Sequence, residues 1–272
     1  MTIRKDAVAG QFYPASAGEV EEMIVHYNSL LDTHADMEAL SALKTRAVIV
    51  PHAGYIYSGF TANVALRILG AQKLERVVVI GPSHRVYLEG VSVADYDRYE
   101  TPFGALEVDR ALVEKLERDF GLHFYPEAHA EHSTEVQMPF IKYYMPKVKV
   151  VELVYGKADP AALSKTIDAL LDDPTTGVVI STDLSHYYDI DKAKRLDSVC
   201  LDAIARLDPA ELHQGCEACG KIGVEAMLLS AKAHGLKPHI LDYRTSADAS
   251  GDKSQVVGYT SVVFELPHEH IV

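Results

Sequence analysis

The sequence predicts an α/β fold, a single domain with a largely parallel central sheet flanked by helices. Strand-like runs of branched apolar residues alternate with amphipathic helical stretches from end to end. At 272 residues and 48% hydrophobic content, the chain can bury a large core. No internal repeat, low-complexity segment or long linker divides it, so residues 1–272 read as one domain.

In chain order, the first helix spans Ala17–Leu31, opened by Ser16 and Glu19 at the spacing of a capping box. Predicted strands follow at Ala47–Val50, Val77–Ile80, Lys149–Val154, Val178–Ser181, His239–Tyr243 and Val256–Phe264. Between them lie predicted helices at Phe60–Leu69, Asp109–Asp119, Thr134–Tyr144, Pro160–Leu171, Asp191–Leu207 and Lys221–Ala233.

Composition excludes several classes. A formal charge of −13 argues against an electrostatic nucleic-acid binder, which needs a basic face. The N-terminal "MTIRKDAVAGQFYP" lacks a signal-peptide apolar core, and no run approaches the roughly 18 apolar residues of a membrane span. Cys200, Cys216 and Cys219 are too few for a disulfide scaffold. A soluble protein of a reducing cytoplasm is expected, with no nucleic-acid or membrane partner.

Three predicted strands are followed within a few residues by a histidine: "AVIVPHAGY" with His52, "VVVIGPSHRVY" with His84 and "GVVISTDLSHYY" with His186. In open α/β sheets, ligands bind beyond the carboxyl ends of the strands. If the three strands are parallel neighbours, these histidines gather at one edge. Their turns are small and polar, which leaves the imidazoles accessible. Asp183, three residues before His186, can hold an imidazole in one tautomer or share metal duty.

"GCEACGKIG" contains Cys216-x-x-Cys219 without a second such pair, so a structural zinc site is weak. Cys219 precedes a predicted helix and Lys221, a setting that favours a thiolate acting as metal ligand or nucleophile. Cys216 is near enough in sequence to pair with Cys219 on oxidation, and Cys200 reads as core. In "HAEHSTEVQ", His132 and Glu135 sit at helical spacing, which suggests capping or support of a site, with direct ligation by His132 the lesser reading. No role is assigned to His268 or His270. The loops "YETPFGALEVD" and "RTSADASGDKSQ" read equally as pocket walls or surface. Markers of dinucleotide binding, P-loop transfer and α/β-hydrolase chemistry are missing.

The series "AGQFYP", "PHAGYIYSG", "GPSH", "YETPFG", "EHSTEVQMPF", "STDLSH", "CGKIG" and "SGDKSQVVGYTS" resembles, in order, the motifs of the Memo family, called AmmeMemoRadiSam system protein B in prokaryotes. The family is similar in fold to the class III extradiol dioxygenases, nonhaem iron(II) enzymes. The resemblance implies metal ligands His52, His84 and Cys219, His186 as acid/base with Asp183 beside it, and Tyr57 in the same pocket; His132 is read from its own motif as a further pocket residue. Cys219 stands where those dioxygenases use a glutamate, so ring cleavage does not carry over; thiolate also admits copper or zinc beside iron(II). Redox or dioxygenase-like chemistry on a small substrate is one expectation. A non-catalytic peptide- or protein-binding module using the same pocket is the other, since eukaryotic relatives are described as binding phosphotyrosine peptides. The family's prokaryotic name further implies radical-SAM and AMMECR-type partner proteins.

Overall fold

A computed structural model describes residues 1–267, so His268 and His270 lie outside the described residues. The first half runs β1 (Ile3–Arg4), α1 (Ala17–His34), α2 (Met37–Ala42), β2 (Thr45–Val50), α3 (Phe60–Gly70), β3 (Arg76–Pro82), β4 (Val91–Val93), β5 (Arg98–Tyr99), β6 (Leu106–Glu107) and α4 (Arg110–Phe120). The second runs α5 (His132–Glu135), α6 (Met138–Tyr144), β7 (Lys149–Tyr155), α7 (Pro160–Leu171), β8 (Thr176–Ser181), β9 (His186–Tyr188), α8 (Ile190–Arg206), α9 (Lys221–Ala233), β10 (Lys237–Thr245), α10 (Ala247–Ser250) and β11 (Val256–Glu265).

The main sheet has the order β10-β11-β2-β8-β3-β7-β4, with β9 added beside β11. Its centre, β2-β8-β3-β7, is parallel; β11 and β10 on one flank and β4 on the other are antiparallel. The sheet is therefore mixed, with the parallel part where the apolar runs are densest. Val48, Val78 and Val179 are fully buried, as expected of strands covered on both faces. Because β8 lies between β2 and β3, the turns carrying His52, Asp183 and His84 leave adjacent strand ends on the same edge.

Each of the six predicted strands is present, and each is longer by a residue or more. Two local expectations are corrected. Ser16 has an extended N-cap backbone, but its hydroxyl makes no capping hydrogen bond. The predicted helix Thr134–Tyr144 is broken into α5 and α6, because Pro139 lacks an amide hydrogen and sits only where a helix begins.

The N-terminal segment is locked beneath the strand-end edge by charge. The buried Arg4 guanidinium donates to the buried Glu135 carboxylate and to the Glu131 backbone carbonyl at 3.2 Å. Glu135 also accepts the amides of Ala7 and Val8, each at 2.9 Å, and the Tyr13 hydroxyl at 2.8 Å. Glu135 thus anchors the "AGQFYP" segment instead of capping a helix. Arg4→Met removes the cation and leaves Glu135 buried without its charge partner. The expected cost is about 3–5 kcal/mol by urea unfolding; a loss near zero would show that the pair does not support the fold.

Candidate metal centre

His52 follows Pro51 directly off the end of β2 and is buried. Its backbone amide donates to Asp183 Oδ1 at 2.8 Å, tying the β2 turn to the β8 turn. Its Nδ1 stands 2.9 Å from Ser181 Oγ. That hydroxyl donates to the Ser133 carbonyl and accepts from Gln137 Nε2 at 3.0 Å, so it is free only to accept from the ring. His52 therefore carries its proton on Nδ1 and presents Nε2 as a lone pair.

The same logic fixes two more rings through one carboxylate. Glu131, buried at the N-cap of α5, accepts His84 Nδ1 at 3.1 Å and lies 2.9 Å from His132 Nδ1. It also takes the backbone amides of His84 at 2.6 Å and Ser133 at 3.0 Å. Burial alone would raise this carboxyl. The hydrogen bonds from His132, His84 and the two amides outweigh it and hold the group well below the usual carboxylate range. An ionised carboxylate only accepts, so both rings carry Nδ1–H and turn Nε2 away from Glu131.

The approach of α5 to β3 depends on Gly81. A Cβ there would stand 2.6 Å from Ser133 Oγ and 2.9 Å from the Thr134 methyl, so a larger residue would clash with α5 at Ser133 and Thr134, next to His132.

One potential ligand atom from each of His52, His84 and His132 lies within 4.8 Å of the other two. The ring centroids are 5.1 Å apart for His52–His84, 5.4 Å for His52–His132 and 4.7 Å for His84–His132. An ion held at about 2.1 Å by imidazole nitrogens spaces them at most about 4 Å apart. The cluster is within an ångström of that limit. Burial, and then the neighbouring His84 and His132, push the His52 imidazole well below its ordinary value, which keeps it neutral and ligand-ready.

Cys219 Sγ is 3.3 Å from His52 Nε2 and receives the Asp183 amide at 3.3 Å. The close contact of Gly220 with Thr182, where a Cβ would stand 2.6 Å from the Thr182 Cβ, brings this loop onto the end of β8. The expected thiolate is not favoured in the absence of an ion. Burial, then the Asp183 charge, push the thiol up to about 12, and Lys221 Nζ turns to the Cys216 carbonyl at 3.4 Å. An ion would displace that proton outright.

Asp183 is buried, and burial raises its carboxyl; its Oδ2 is 3.9 Å from His52 Nε2. His186 sits on β9 and is half-buried, near enough to influence both His52 and Asp183 electrostatically. Tyr57 is on a π-helical turn, Tyr55–Gly59, and is partly exposed. Burial, and then the nearby Asp183, Tyr57 and Tyr187, push the buried Tyr259 hydroxyl up.

The motifs did not single out Glu131, Ser181 and Gln137 as the groups that aim the rings; Glu131 directly before His132 was their one local signal. The oxidised pairing open to Cys216 and Cys219 is not the one formed: Cys216 is in a disulfide with Cys200, and Cys219 is free. A second constellation, Ser92 Oγ–His129 Nε2 at 2.7 Å and His129 Nδ1–Glu152 Oε2 at 2.9 Å, has the connectivity of a hydrolytic triad. All three residues are buried, and Ser92 Oγ already accepts the Tyr125 amide, so this is an internal hydrogen-bond chain. Clefts of about 560 and 410 Å³ lie elsewhere, and neither is lined by a member of the histidine cluster. The loop "YETPFGALEVD" closes on itself through Thr101 and the α4 cap Asp109.

The family model described as "Memo-like protein" matches residues 4–263. A MEMO1 family protein of Aquifex aeolicus is 34% identical over 281 residues, covering 97% of this chain and 100% of that protein. One from Archaeoglobus fulgidus is 32% identical, with 97% and 100% coverage. The solved structure of an uncharacterized protein, JW3007 from Escherichia coli K12, aligns with a TM-score of 0.54 at 12% identity, covering 81% of this chain and 100% of that one. At that identity the likeness concerns the fold alone.

Glu131→Gln keeps the size of the side chain and removes the charge. It is expected to weaken metal binding about 10–100-fold in a chelator competition while the fold persists. In the metal-free protein, stability should fall with acid below pH 6.5, because His52 resists the proton that the unfolded chain accepts. Below pH 4.5 the depressed Glu131 adds a second loss, which Glu131→Gln should lack. Identical acid limbs in the two proteins would contradict the role given to Glu131.

Proposed function

The chain belongs to the Memo family, and we propose that it is a mononuclear metalloprotein that holds one iron(II) ion and performs redox or dioxygenase-like chemistry on a small substrate. The observation behind this reading is the convergence of the His52, His84 and His132 rings, with their Nδ1 protons committed elsewhere. Cys219 adds a soft donor beside His52, so the set extends the His–His–Cys triad implied by the resemblance with His132. When bound, the ion supplies Lewis acidity and exchangeable coordination positions.

The remaining work falls to side chains. Glu131 and Ser181 keep the rings oriented, which lowers the reorganisation needed when a ligand arrives. The buried Asp183 carboxylate, 3.9 Å from His52 Nε2 and acting electrostatically on the Cys219 thiol, takes the proton that the thiol gives up on ligation. His186, half-buried on β9, moves protons to and from a bound substrate.

The rim favours a second reading, a peptide- or protein-binding module. Ile56 is 68% exposed and Tyr187 70% exposed, and Tyr187 holds a left-handed backbone with φ 65°. For a bulky residue that conformation is strained, and such strain collects at ligand-binding sites.

The test is metal content per chain after anaerobic purification, with His52→Ala, His84→Ala, His132→Ala, Cys219→Ser and His186→Ala. About one iron per chain is expected in the parent, a loss of most of it in the first four variants, and retention in His186→Ala. No metal in the parent even after reconstitution would overturn the reading. Copper or zinc at the same stoichiometry would replace iron while keeping the site.

A further inference from the structure

The Cys200–Cys216 disulfide lies three residues upstream of Cys219, and the helix that carries it also holds the His186 turn. On α8, Asp197 and Cys200 are one turn apart and share a face. The buried Asp197 carboxylate accepts the Ser185 amide at 2.8 Å and the Tyr243 hydroxyl at 2.7 Å. It packs against Gly258, where a Cβ would stand 2.0 Å from Asp197 Oδ2, so this part of α8 lies directly on the β11 backbone. Cys200 carries the same anchorage to the other side of the site through its bond to Cys216.

The segment between the disulfide and Cys219 is short. Three Cα–Cα steps of about 3.8 Å keep Cys219 within roughly 11 Å of a fixed Cys216. Apart from the disulfide, the loop is held by the Cys216 amide on the Leu212 carbonyl at 3.1 Å, the Cys219 amide on the Asp183 carbonyl at 3.2 Å and the Gly220 amide on Thr182 Oγ1 at 2.9 Å. Gly215, with φ 129°, places a backbone that L side chains rarely adopt just before Cys216. Single hydrogen bonds of this kind open locally far more readily than a covalent bond.

We propose that the Cys200–Cys216 disulfide is a redox latch that holds Cys219 at His52, so that the oxidised chain retains its ion and the reduced chain releases it more easily. The proposal rests on the metal reading given above. Oxidation uses a low-molecular-weight disulfide: two protein thiols and R–S–S–R give the Cys200–Cys216 bond and two R–SH, two electrons and two protons passing to the small thiols. Reduction by the thiol reverses it. Both sulfurs are in buried residues, so exchange follows local opening of the loop.

The first readout needs no metal. Intact mass of the chain purified without reductant should show one disulfide, and Cys219 of the metal-free protein should react slowly with iodoacetamide. In Cys200→Ala/Cys216→Ala, where Cys219 is the remaining thiol, alkylation should be about tenfold faster. The second readout is iron(II) affinity by competition with a chromophoric chelator, expected to weaken about tenfold in the double variant. If that variant loses its cooperative melt, the parent reduced with a phosphine and mapped peptide by peptide replaces it. Three free thiols in the parent, or equal Cys219 alkylation with the disulfide proven present, overturns the latch. If the oxidised parent binds no metal while alkylation still differs, the metal reading fails and the tether stands.

Discussion

A single buried carboxylate organises the centre. Glu131 takes hydrogen bonds from two imidazoles and two amides, and it can do so only while ionised. A charge in that setting is costly unless it is fully hydrogen-bonded, and the His84 turn and the start of α5 supply those bonds. The β3 turn and α5 are therefore held together by the same group that aims their rings. Taking Glu131 away would remove a packing joint and a ligand orienter together.

Around that joint the fold supplies positions and little else. The parallel order β2-β8-β3 places three strand ends side by side, and the amide of His52 on Asp183 closes the gap between two of them. Cys219 enters from the loop before α9, drawn in by Gly220 against Thr182. The Arg4–Glu135 pair sits below, and through the Glu131 carbonyl it braces the backbone of the residue on which the site depends. A buried ion pair of this kind is costly to break by removing one partner, even where it adds little net stability over an apolar replacement.

Much of the architecture is legible in the residues. "AVIV", "VVVI" and "GVVIS" are runs that suit a doubly covered strand, and His52, His84 and Asp183 follow their ends on one edge, whereas His186 lies further on, on β9 beside β11. The short strands Ile3–Arg4, Val91–Val93, Arg98–Tyr99, Leu106–Glu107 and His186–Tyr188 are not legible, because two or three residues carry no periodicity. His132 belonged to a helical spacing argument, yet what places it is Glu131, whose side chain direction no local pattern specifies. The Cys200–Cys216 bond is similar. Sequence proximity made Cys219 one possible partner for Cys216, whereas the helix α8 brings Cys200 across a separation of 16 residues.

The claim on which the account turns is that the converging rings and the adjacent thiol bind one ion together. X-ray absorption at the metal edge of the iron-loaded protein reads that ligand set directly. The account predicts imidazole scattering from about three nitrogens at roughly 2.1 Å and one sulfur at roughly 2.3 Å, the sulfur lost in Cys219→Ser. A shell of oxygen ligands alone, unchanged in that variant, would contradict it.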